Sequence, residues 1–263
     1  MNSIDIIFGY NYMKEFETLK VRFDKDICWI RFNRDEYKNT INHQLVRECH
    51  NVIQRCILEH AKIVIFEGSK EYFCFGADLY ESEDNKEIAE QLYDLWQNIL
   101  YGQFISIAHV QGRVNAGGMG FVSVCDFVIS DKNVTFGFSE LIFGLYQSMV
   151  FPFLIKRIGF AKAKHLVLTV KAISATEAKT CGLIDECGED SEVLLKRYLS
   201  RLNKIPLNGV KNFKAYTSEI DININKSKQI AIQNNIMMFS DPVNIKRIRN
   251  FAEKGIYPWE LKG

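Results

Sequence analysis

Two glycine-containing segments combine residue types that can support chemistry at a carbonyl group. The segments are "FCFGADL" at 73–79 and "NAGGMG" at 115–120, and each follows an apolar run that is typical of a buried strand. Glycine in packed structure indicates close approach of two backbones or an unusual dihedral angle. Two backbone N–H groups that converge from separate loops form an oxyanion hole, which stabilises the charge that a thioester oxygen gains when its α-proton leaves. Together, the two segments predict such a site.

Each segment also has simpler interpretations. An ordinary tight turn explains either one alone, because short glycine motifs are common. A phosphate-binding loop is excluded, since the chain has no GxxxxGK[ST] pattern and "AGGMG" does not fit GxGxxG.

Strands and helices that position these residues are readable from periodicity. "LKVRFDKDICWIRF" at 19–32 predicts a β-hairpin, and the following segment predicts a helix with a buried face. "KIVIFEGS", "ISIAHVQG", "CDFVIS" and "VTFGF" predict strands. Beyond Ser148 the pattern is helical, with a capping box at Ser174 and Glu177 and a helix that starts at Asp241-Pro242 and stops at Gly255.

Composition excludes several classes of partner. The chain has 263 residues, 47% of them hydrophobic, which suffices for a large single core. Its net charge is +1 and it has no run of five like charges, so neither nucleic acid nor an anionic membrane is predicted as a partner.

Apolar stretches, the N-terminal residues and the cysteines bear on the compartment and on metal binding. No apolar stretch approaches the roughly 20 residues that span a bilayer. The N-terminal residues fit a signal peptide poorly, because Asp5 interrupts their apolar run. Seven cysteines with no CxxC pair and no nearby histidine at metal-ligand spacing predict reduced thiols and no metal site, and a cytoplasmic protein is expected.

Five motifs in order resemble the crotonase, or enoyl-CoA hydratase/isomerase, superfamily. They are "NRDEYKNTIN" (33–42), "FCFGADL" (73–79), "VQGRVNAGGMGFVSVCD" (110–126), "VTFGFSELIFGL" (134–145) and "ISATEAKTCGLIDE" (173–186). The resemblance implies an α/β fold, a spiral of ββα turns followed by a helical region that builds trimers or dimers of trimers. Residues 1–18 would be an extension, 19–190 the core and 191–263 the helical region. It also implies acyl thioester substrates on phosphopantetheine, with no further cofactor.

The superfamily's site residues can be assigned to positions of this sequence through the shared motifs. The resemblance puts the two oxyanion-hole amides on Ala77, which follows Gly76, and on Gly117, with Gly118 keeping the backbone close to the thioester. It also puts a residue that helps to hold the CoA end on Lys38, although Asp35 stands where that segment usually has proline.

Hydratases of this superfamily use two glutamates, and only one is present. The second falls on Glu140 in "FGFSELIFG", whereas the first falls on Gly120. The neighbours Phe138, Leu141 and Phe143 are apolar, and a carboxyl held among such residues should have a raised pKa that suits general acid catalysis. The alternative for Glu140 is a surface acid that caps a helix. A single acid suits syn elimination from a β-hydroxy thioester, in which Glu140 takes the α-proton and returns it to the departing hydroxyl. Gly120 would leave room for a bulkier β-carbon.

One subgroup fits this pattern. "GRVNAGGMGFVSVCD", "SELIFGLY", "FPFLIKRIG", "MFSDP" and "YPWE" resemble the dehydratases of polyketide β-branching cassettes. That resemblance implies dehydration of 3-hydroxy-3-methylglutaryl to 3-methylglutaconyl on an acyl carrier protein.

Three further side chains are weighed against structural roles. Arg113 is a candidate partner for the substrate carboxylate, or else holds a salt bridge. Tyr146 is a candidate donor to the substrate hydroxyl, or else packs in the wall. His109 is interpreted as a satisfied core histidine.

Other functions remain open from the sequence. The companion decarboxylase of these cassettes resembles this chain in fold but uses a lysine after the first loop and a C-terminal histidine. Here Asp78-Leu79-Tyr80 follow that loop, and no histidine occurs after His165. An isomerase of primary metabolism is a second alternative, and a catalytically silent interaction or RNA-binding protein is a third, although a net charge of +1 gives the RNA version no support.

Overall fold

A computed structural model describes residues 16–78 and 85–260, and it has a mixed α/β architecture. Ten strands in the described ranges form two sheets. The strands are β1 (Leu19–Asp24), β2 (Ile27–Phe32), β3 (Ile63–Glu67), β4 (Tyr72–Cys74), β5 (Ile105–Val110), β6 (Arg113–Asn115), β7 (Phe127–Asp131), β8 (Thr135–Gly137), β9 (Ile173–Ser174) and β10 (Glu186–Gly188). One sheet has the order β1-β2-β3-β5-β7-β10, and the other has the order β4-β6-β8-β9.

Helices cover the sheets and form the C-terminal part. The helices are α1 (His43–Leu58), α2 (Asn85–Leu100), α3 (Gly118–Val124), α4 (Phe151–Ile158), α5 (Phe160–Thr169), α6 (Ala175–Cys181), α7 (Ser191–Leu202), α8 (Leu207–Ile220), α9 (Ile222–Ser240) and α10 (Pro242–Lys254). None of the helices within the described residues is long and apolar enough to cross a membrane.

Local sequence signals explain where several elements begin and end. The predicted hairpin is confirmed: β1 and β2 pair antiparallel from Leu19↔Phe32 to Asp24↔Ile27. The predicted first helix is also confirmed, because Asn42 caps α1 and its apolar face is buried. The capping box at Ser174, and the helix from Pro242 with its Asp241 cap, form as predicted.

The larger sheet is buried on both faces. Its central strands β3 and β5 are therefore apolar at nearly every position, as parallel strands under two helical layers must be. One face packs against α1, α2 and α3, and the other packs against Leu195 and Leu202 of α7. The predicted boundary at 190 coincides with the start of α7, whose packing ties it to the core; the division into core and helical region stays a prediction.

The smaller sheet positions the candidate site. Its strands β4, β6 and β8 are parallel neighbours, with register pairs Cys74↔Val114 and Asn115↔Gly137. The carboxyl ends of all three strands therefore lie at the same edge. The chain that leaves this edge carries Gly76 after β4, Gly117 after β6 and Glu140 after β8.

Candidate active site

The two glycine loops lie directly against each other. Gly76 has φ +99°, which a residue with a side chain rarely adopts, and a Cβ there would lie 2.6 Å from the Cβ of Ala116. A Cβ built on Gly117 would lie 3.6 Å from the amide nitrogen of Ala77. Standard bond lengths then place the amide nitrogens of Ala77 and Gly117 within about 6 Å of each other. The convergence that the sequence predicts is present.

Both of these amides lack a hydrogen-bond acceptor within the described residues, whereas two amides close to them are bonded. The amide of Ile41 donates to the carbonyl of Gly76 at 2.7 Å, and that of Ala116 donates to the carbonyl of Gly137 at 3.1 Å. Backbone N–H groups in packed structure are nearly always paired. Two unpaired donors at one edge are what an anionic oxygen requires.

Glu140 follows the third strand of this edge and is half-buried. Its Oε2 accepts hydrogen bonds from the amide of Ser139 at 2.8 Å and from Nε2 of Gln147 at 2.9 Å. Asn115 ties the strands together here, because its Nδ2 donates to Oγ of Ser139 at 3.0 Å. Burial of the carboxyl outweighs these donors and raises the pKa of Glu140 to about 7. The raised pKa that the apolar neighbours predict is therefore present.

A tight turn brings Gln147 back to Glu140. A single-turn 3-10 helix spans Glu140–Phe143 and ends at Gly144, whose φ of +84° is left-handed. The amide of Leu145 then donates to the carbonyl of Glu140 at 3.1 Å. A Cβ at Gly144 would lie 2.3 Å from Oδ1 of Asn244, so α10 packs closely on this turn.

Two glycines of "NAGGMG" serve packing. A Cβ at Gly118 would lie 2.1 Å from the carbonyl oxygen of Cys74, so this glycine lets α3 approach the end of β4. A Cβ at Gly120 would lie 2.2 Å from Cζ2 of Trp96, whose indole is buried. The expectation that Gly120 leaves room for the substrate is therefore wrong, because the indole fills the space where the missing glutamate would lie.

Lys38 lies beside the first loop, as the resemblance implies. Its backbone is left-handed, and its Nζ stands 5.6 Å from the ring centre of Phe75, the residue before Gly76. Its predicted role toward the CoA end stays a prediction.

Arg113 lies at the opposite edge of the small sheet, which argues against contact with the reacting acyl group. It begins β6 and pairs with Tyr72, whose hydroxyl accepts from its guanidinium at 2.9 Å. Glu71 lies 3.7 Å away. Arg113 begins β6, whereas Gly117 follows the other end of that strand, beyond Asn115. Arg113 therefore has the structural contacts that were the alternative to substrate binding.

Tyr146 packs against a C-terminal helix. Its hydroxyl is hydrogen-bonded to Asn234 of α9, and its amide approaches the sulfur of Met238 at 3.0 Å. The hydroxyl that was a candidate for the substrate is thus engaged with the protein, although the ring stays partly exposed.

His109 is a satisfied core histidine, as interpreted. Its Nδ1 lies 2.7 Å from Oε1 of Glu67, and its Nε2 lies 2.9 Å from Oγ of Ser191. Glu67, His109 and Glu192 bring possible metal-ligand atoms within 4.8 Å of one another. Because both ring nitrogens already have partners in the protein, this cluster is better explained as a structural network.

Sequence reasoning missed three contributors. Gln147 contacts Glu140 only through the left-handed turn at Gly144, and Trp96 reaches Gly120 from α2. The third is an ion pair under the first loop, in which Nη2 of Arg34 lies 2.9 Å from Oδ2 of Asp78. The glycine at 144 after a short apolar turn was the one local signal that pointed to Gln147.

Comparison with known proteins agrees with this geometry. The family model for enoyl-CoA hydratase/isomerase matches residues 22–262. The bacillaene synthase dehydratase PksH of Bacillus subtilis is 43% identical over 252 residues, covering 93% of this chain and 97% of PksH.

Solved structures share the fold. The crystal structure of B. subtilis PksH, a polyketide biosynthesis enoyl-CoA hydratase by its description, superposes with a TM-score of 0.88 at 42% identity and covers 92% of this chain and 100% of PksH. An enoyl-CoA hydratase from Bacillus halodurans superposes with a TM-score of 0.80 at 19% identity, covering 89% of this chain and 99% of its own, which speaks for the fold alone.

Proposed function

Because the chain belongs to the enoyl-CoA hydratase/isomerase family, we propose that it is a hydro-lyase that dehydrates 3-hydroxy-3-methylglutaryl to 3-methylglutaconyl on an acyl carrier protein in polyketide β-branching. One observation carries this proposal: a single carboxyl with a raised pKa stands at the edge where two unpaired amides converge. The 43% identity to PksH supports the choice of a polyketide dehydratase within the family.

The first half-reaction forms an enolate. The carboxylate of Glu140 takes the α-proton, and the electrons of that C–H bond move into the thioester. The carbonyl oxygen becomes negative and is held by the amides of Ala77 and Gly117, each worth roughly 3–4 kcal/mol in such a site. A carboxyl pKa of about 7 lets a useful fraction be ionised near neutral pH while keeping the carboxylate basic.

The second half-reaction expels water. The electrons of the enolate return to form the Cα=Cβ bond, and the Cβ–O bond breaks. The protonated Glu140 gives its proton to the departing hydroxyl, which leaves as water and regenerates the carboxylate. A tertiary hydroxyl eases this step, and one group on one face of the substrate suffices for syn elimination.

The position where hydratases of this family have another glutamate is filled, which favours dehydration by Glu140 alone over hydration by two glutamates. Trp96 occupies the space beside Gly120, so no other side chain is placed there. Decarboxylation is disfavoured because Asp78, paired with Arg34, follows the first loop, and because no histidine is available after His165.

The partners follow from the substrate and from exposed surface. The acyl group arrives on the phosphopantetheine of a carrier protein, with Lys38 beside the entrance of the arm and no further cofactor. Phe213, Tyr216 and Ile220 are exposed on α8 at helical spacing. Such an apolar face fits burial against other copies of the chain in a homotrimer or a dimer of trimers.

Seven free cysteines fit the reducing cytoplasm.

A direct assay tests the proposal. Purified protein is incubated with 3-hydroxy-3-methylglutaryl carrier protein, and intact-protein mass spectrometry should report loss of one water. Release of CO₂ from 3-methylglutaconyl carrier protein, without dehydration, would overturn the assignment. Inertness toward both substrates would favour the non-catalytic alternative.

A further inference from the structure

The hydrogen bonds that other residues donate to the carboxyl of Glu140 all go to one oxygen. The amide of Ser139 and Nε2 of Gln147 both donate to Oε2, at 2.8 and 2.9 Å. Within the described part of the chain, no other residue donates a hydrogen bond to Oε1.

Gln147 is held firmly in place by the backbone around it. The side chain is 5% exposed. Its backbone carbonyl accepts a hydrogen bond from the amide of Phe151 at 2.8 Å, at the start of α4. On the other side of Gln147, the left-handed Gly144 closes the turn. These contacts fix the backbone from which Nε2 of Gln147 reaches Glu140.

The oxygen of the same side-chain amide is not hydrogen-bonded. Oε1 of Gln147 is buried and has no hydrogen-bond partner among the described residues. A buried acceptor without a partner is costly, and an apolar residue of similar size would avoid that cost. The contact from Nε2 to Glu140 is the feature that a glutamine provides here and an apolar residue would not.

Two donors on one oxygen decide where a proton can bind. A carboxylate only accepts hydrogen bonds, whereas a protonated carboxyl donates one. With both donors on Oε2, the carboxyl keeps these bonds in either protonation state only if its proton sits on Oε1. We infer that Gln147 is a positioning residue that reserves Oε2 as a permanent acceptor and leaves Oε1 as the one atom that exchanges protons with the substrate.

This inference rests on the acid–base role of Glu140 in the proposed function. In the first half-reaction the α C–H bond breaks and an O–H bond forms on Oε1. In the second, that O–H bond breaks, the proton joins the departing hydroxyl, and the Cβ–O bond breaks. One oxygen that serves both steps constrains both to one face of the substrate, as syn elimination requires.

Three variants test it. Gln147→Met removes the donor at similar volume, and Gln147→Glu replaces the donor with a second carboxyl. Ser148→Ala is the matched control, because Oγ of Ser148 is also buried and unpartnered but makes no bond to Glu140. Arg247 of α10, whose Nη1 would lie 2.7 Å from a Cβ at Gly144, is a charged group packed on this turn and is unchanged in all three.

The expected result is a drop in kcat of roughly 10-fold or more for Gln147→Met, with KM within about 2-fold of wild type. The acid limb of its pH profile moves to higher pH, because loss of a donor to the carboxylate raises the pKa of Glu140. Gln147→Glu moves this limb further, and Ser148→Ala matches wild type. A folded Gln147→Met enzyme with wild-type kcat and pH profile overturns the inference.

A substrate-free measurement separates this inference from the proposed function. Carbon-13 NMR titration of labelled glutamate gives the pKa of Glu140 directly, with Glu140→Gln used to assign the signal. A wild-type protein without dehydratase activity would refute the proposed function alone. An unchanged Glu140 pKa in Gln147→Met, or in Gln147→Glu if the methionine variant does not fold, would refute the inference alone.

Discussion

His109 lies on a strand and Glu140 lies just after one, and the hydrogen bonding of these two titratable side chains differs. His109, on β5, has no exposed surface and a partner on each ring nitrogen. Glu140, after β8, keeps some exposed surface and has both of its donors on one oxygen. A side chain whose hydrogen-bonding atoms all have partners inside the protein stabilises the fold. A side chain that keeps one such atom without a partner on another residue can act on a substrate.

The electrostatics of the two groups point the same way. Burial alone would lower the pKa of His109, but the hydrogen bond and the charge of Glu67 outweigh it and raise that pKa. The positive charge is thus compensated within the protein. Burial raises the pKa of Glu140 with no opposite charge to offset it, so its proton stays available for exchange.

Glu140→Gln should have the largest effect on turnover. It keeps the shape of the side chain but removes its ability to carry a proton, so kcat should fall by roughly 10²-fold or more. Steady-state assays with the carrier-protein substrate check this. Glu177→Gln is a matched control, because a glutamine still completes the capping box at Ser174. A near-normal rate in Glu140→Gln would mean that another group carries the proton.

His109→Ala should lower stability and leave turnover nearly unchanged. It leaves Glu67 and Ser191 without their buried partner, which should lower the free energy of unfolding by about 2–3 kcal/mol. Urea denaturation measures this change. The kcat per folded molecule should stay within about 3-fold of wild type. Lost turnover with unchanged stability would assign His109 to catalysis instead.

The glycine loop allows the same separation of packing from chemistry. Gly118→Ala forces a methyl group to within 2.1 Å of the carbonyl oxygen of Cys74 and should cost about 2 kcal/mol of stability. Gly117→Ala meets the movable tip of Ile41 at 3.2 Å with φ −57°, so it should cost less than about 1 kcal/mol. Equal losses by thermal denaturation would contradict the packing role of Gly118.

The smallest effect expected is on the pH dependence of stability. The pKa of Glu140 is raised to about 7 in the folded protein, so the folded state binds this proton more tightly than the unfolded chain does. Its contribution to stability is present below pH 4.5 and is lost as the pH rises to 7. Glu140→Gln lacks this loss and should gain about 1 kcal/mol relative to wild type between pH 5 and pH 8, a value reduced for partial exposure. A constant difference across that range, in denaturation curves, would mean that the pKa is not raised.

Local signals and ordered motifs were sufficient to predict the fold and the three residues of the strand edge. The hairpin, the caps and the positions of Gly76, Gly117 and Glu140 depend on residues close together in sequence or on the resemblance. The choice between the two roles of Arg113 could not be made from the sequence, because the register of a short parallel pair, Tyr72↔Arg113, is not encoded in a local pattern.

Contacts between distant segments were the other source of error. Trp96 and Gly120 lie on different helices, and only their packing reveals that the indole fills the position of the absent acid. Gln147 is seven residues from Glu140, a separation that ordinary helical or strand periodicity does not bring together. A left-handed turn does so here.

Exchange of the α-proton tests the central claim most directly, because it isolates enolate formation from elimination. The probe is 3-methylglutaryl carrier protein in D₂O, which lacks the hydroxyl and cannot lose water. Wild-type protein should introduce deuterium at the α-carbon, as followed by mass spectrometry, and Glu140→Gln should do so at least about 100-fold more slowly. Equal rates in the two proteins, or no exchange by wild type, would contradict the assignment of Glu140 and the two amides as the enolate-forming site.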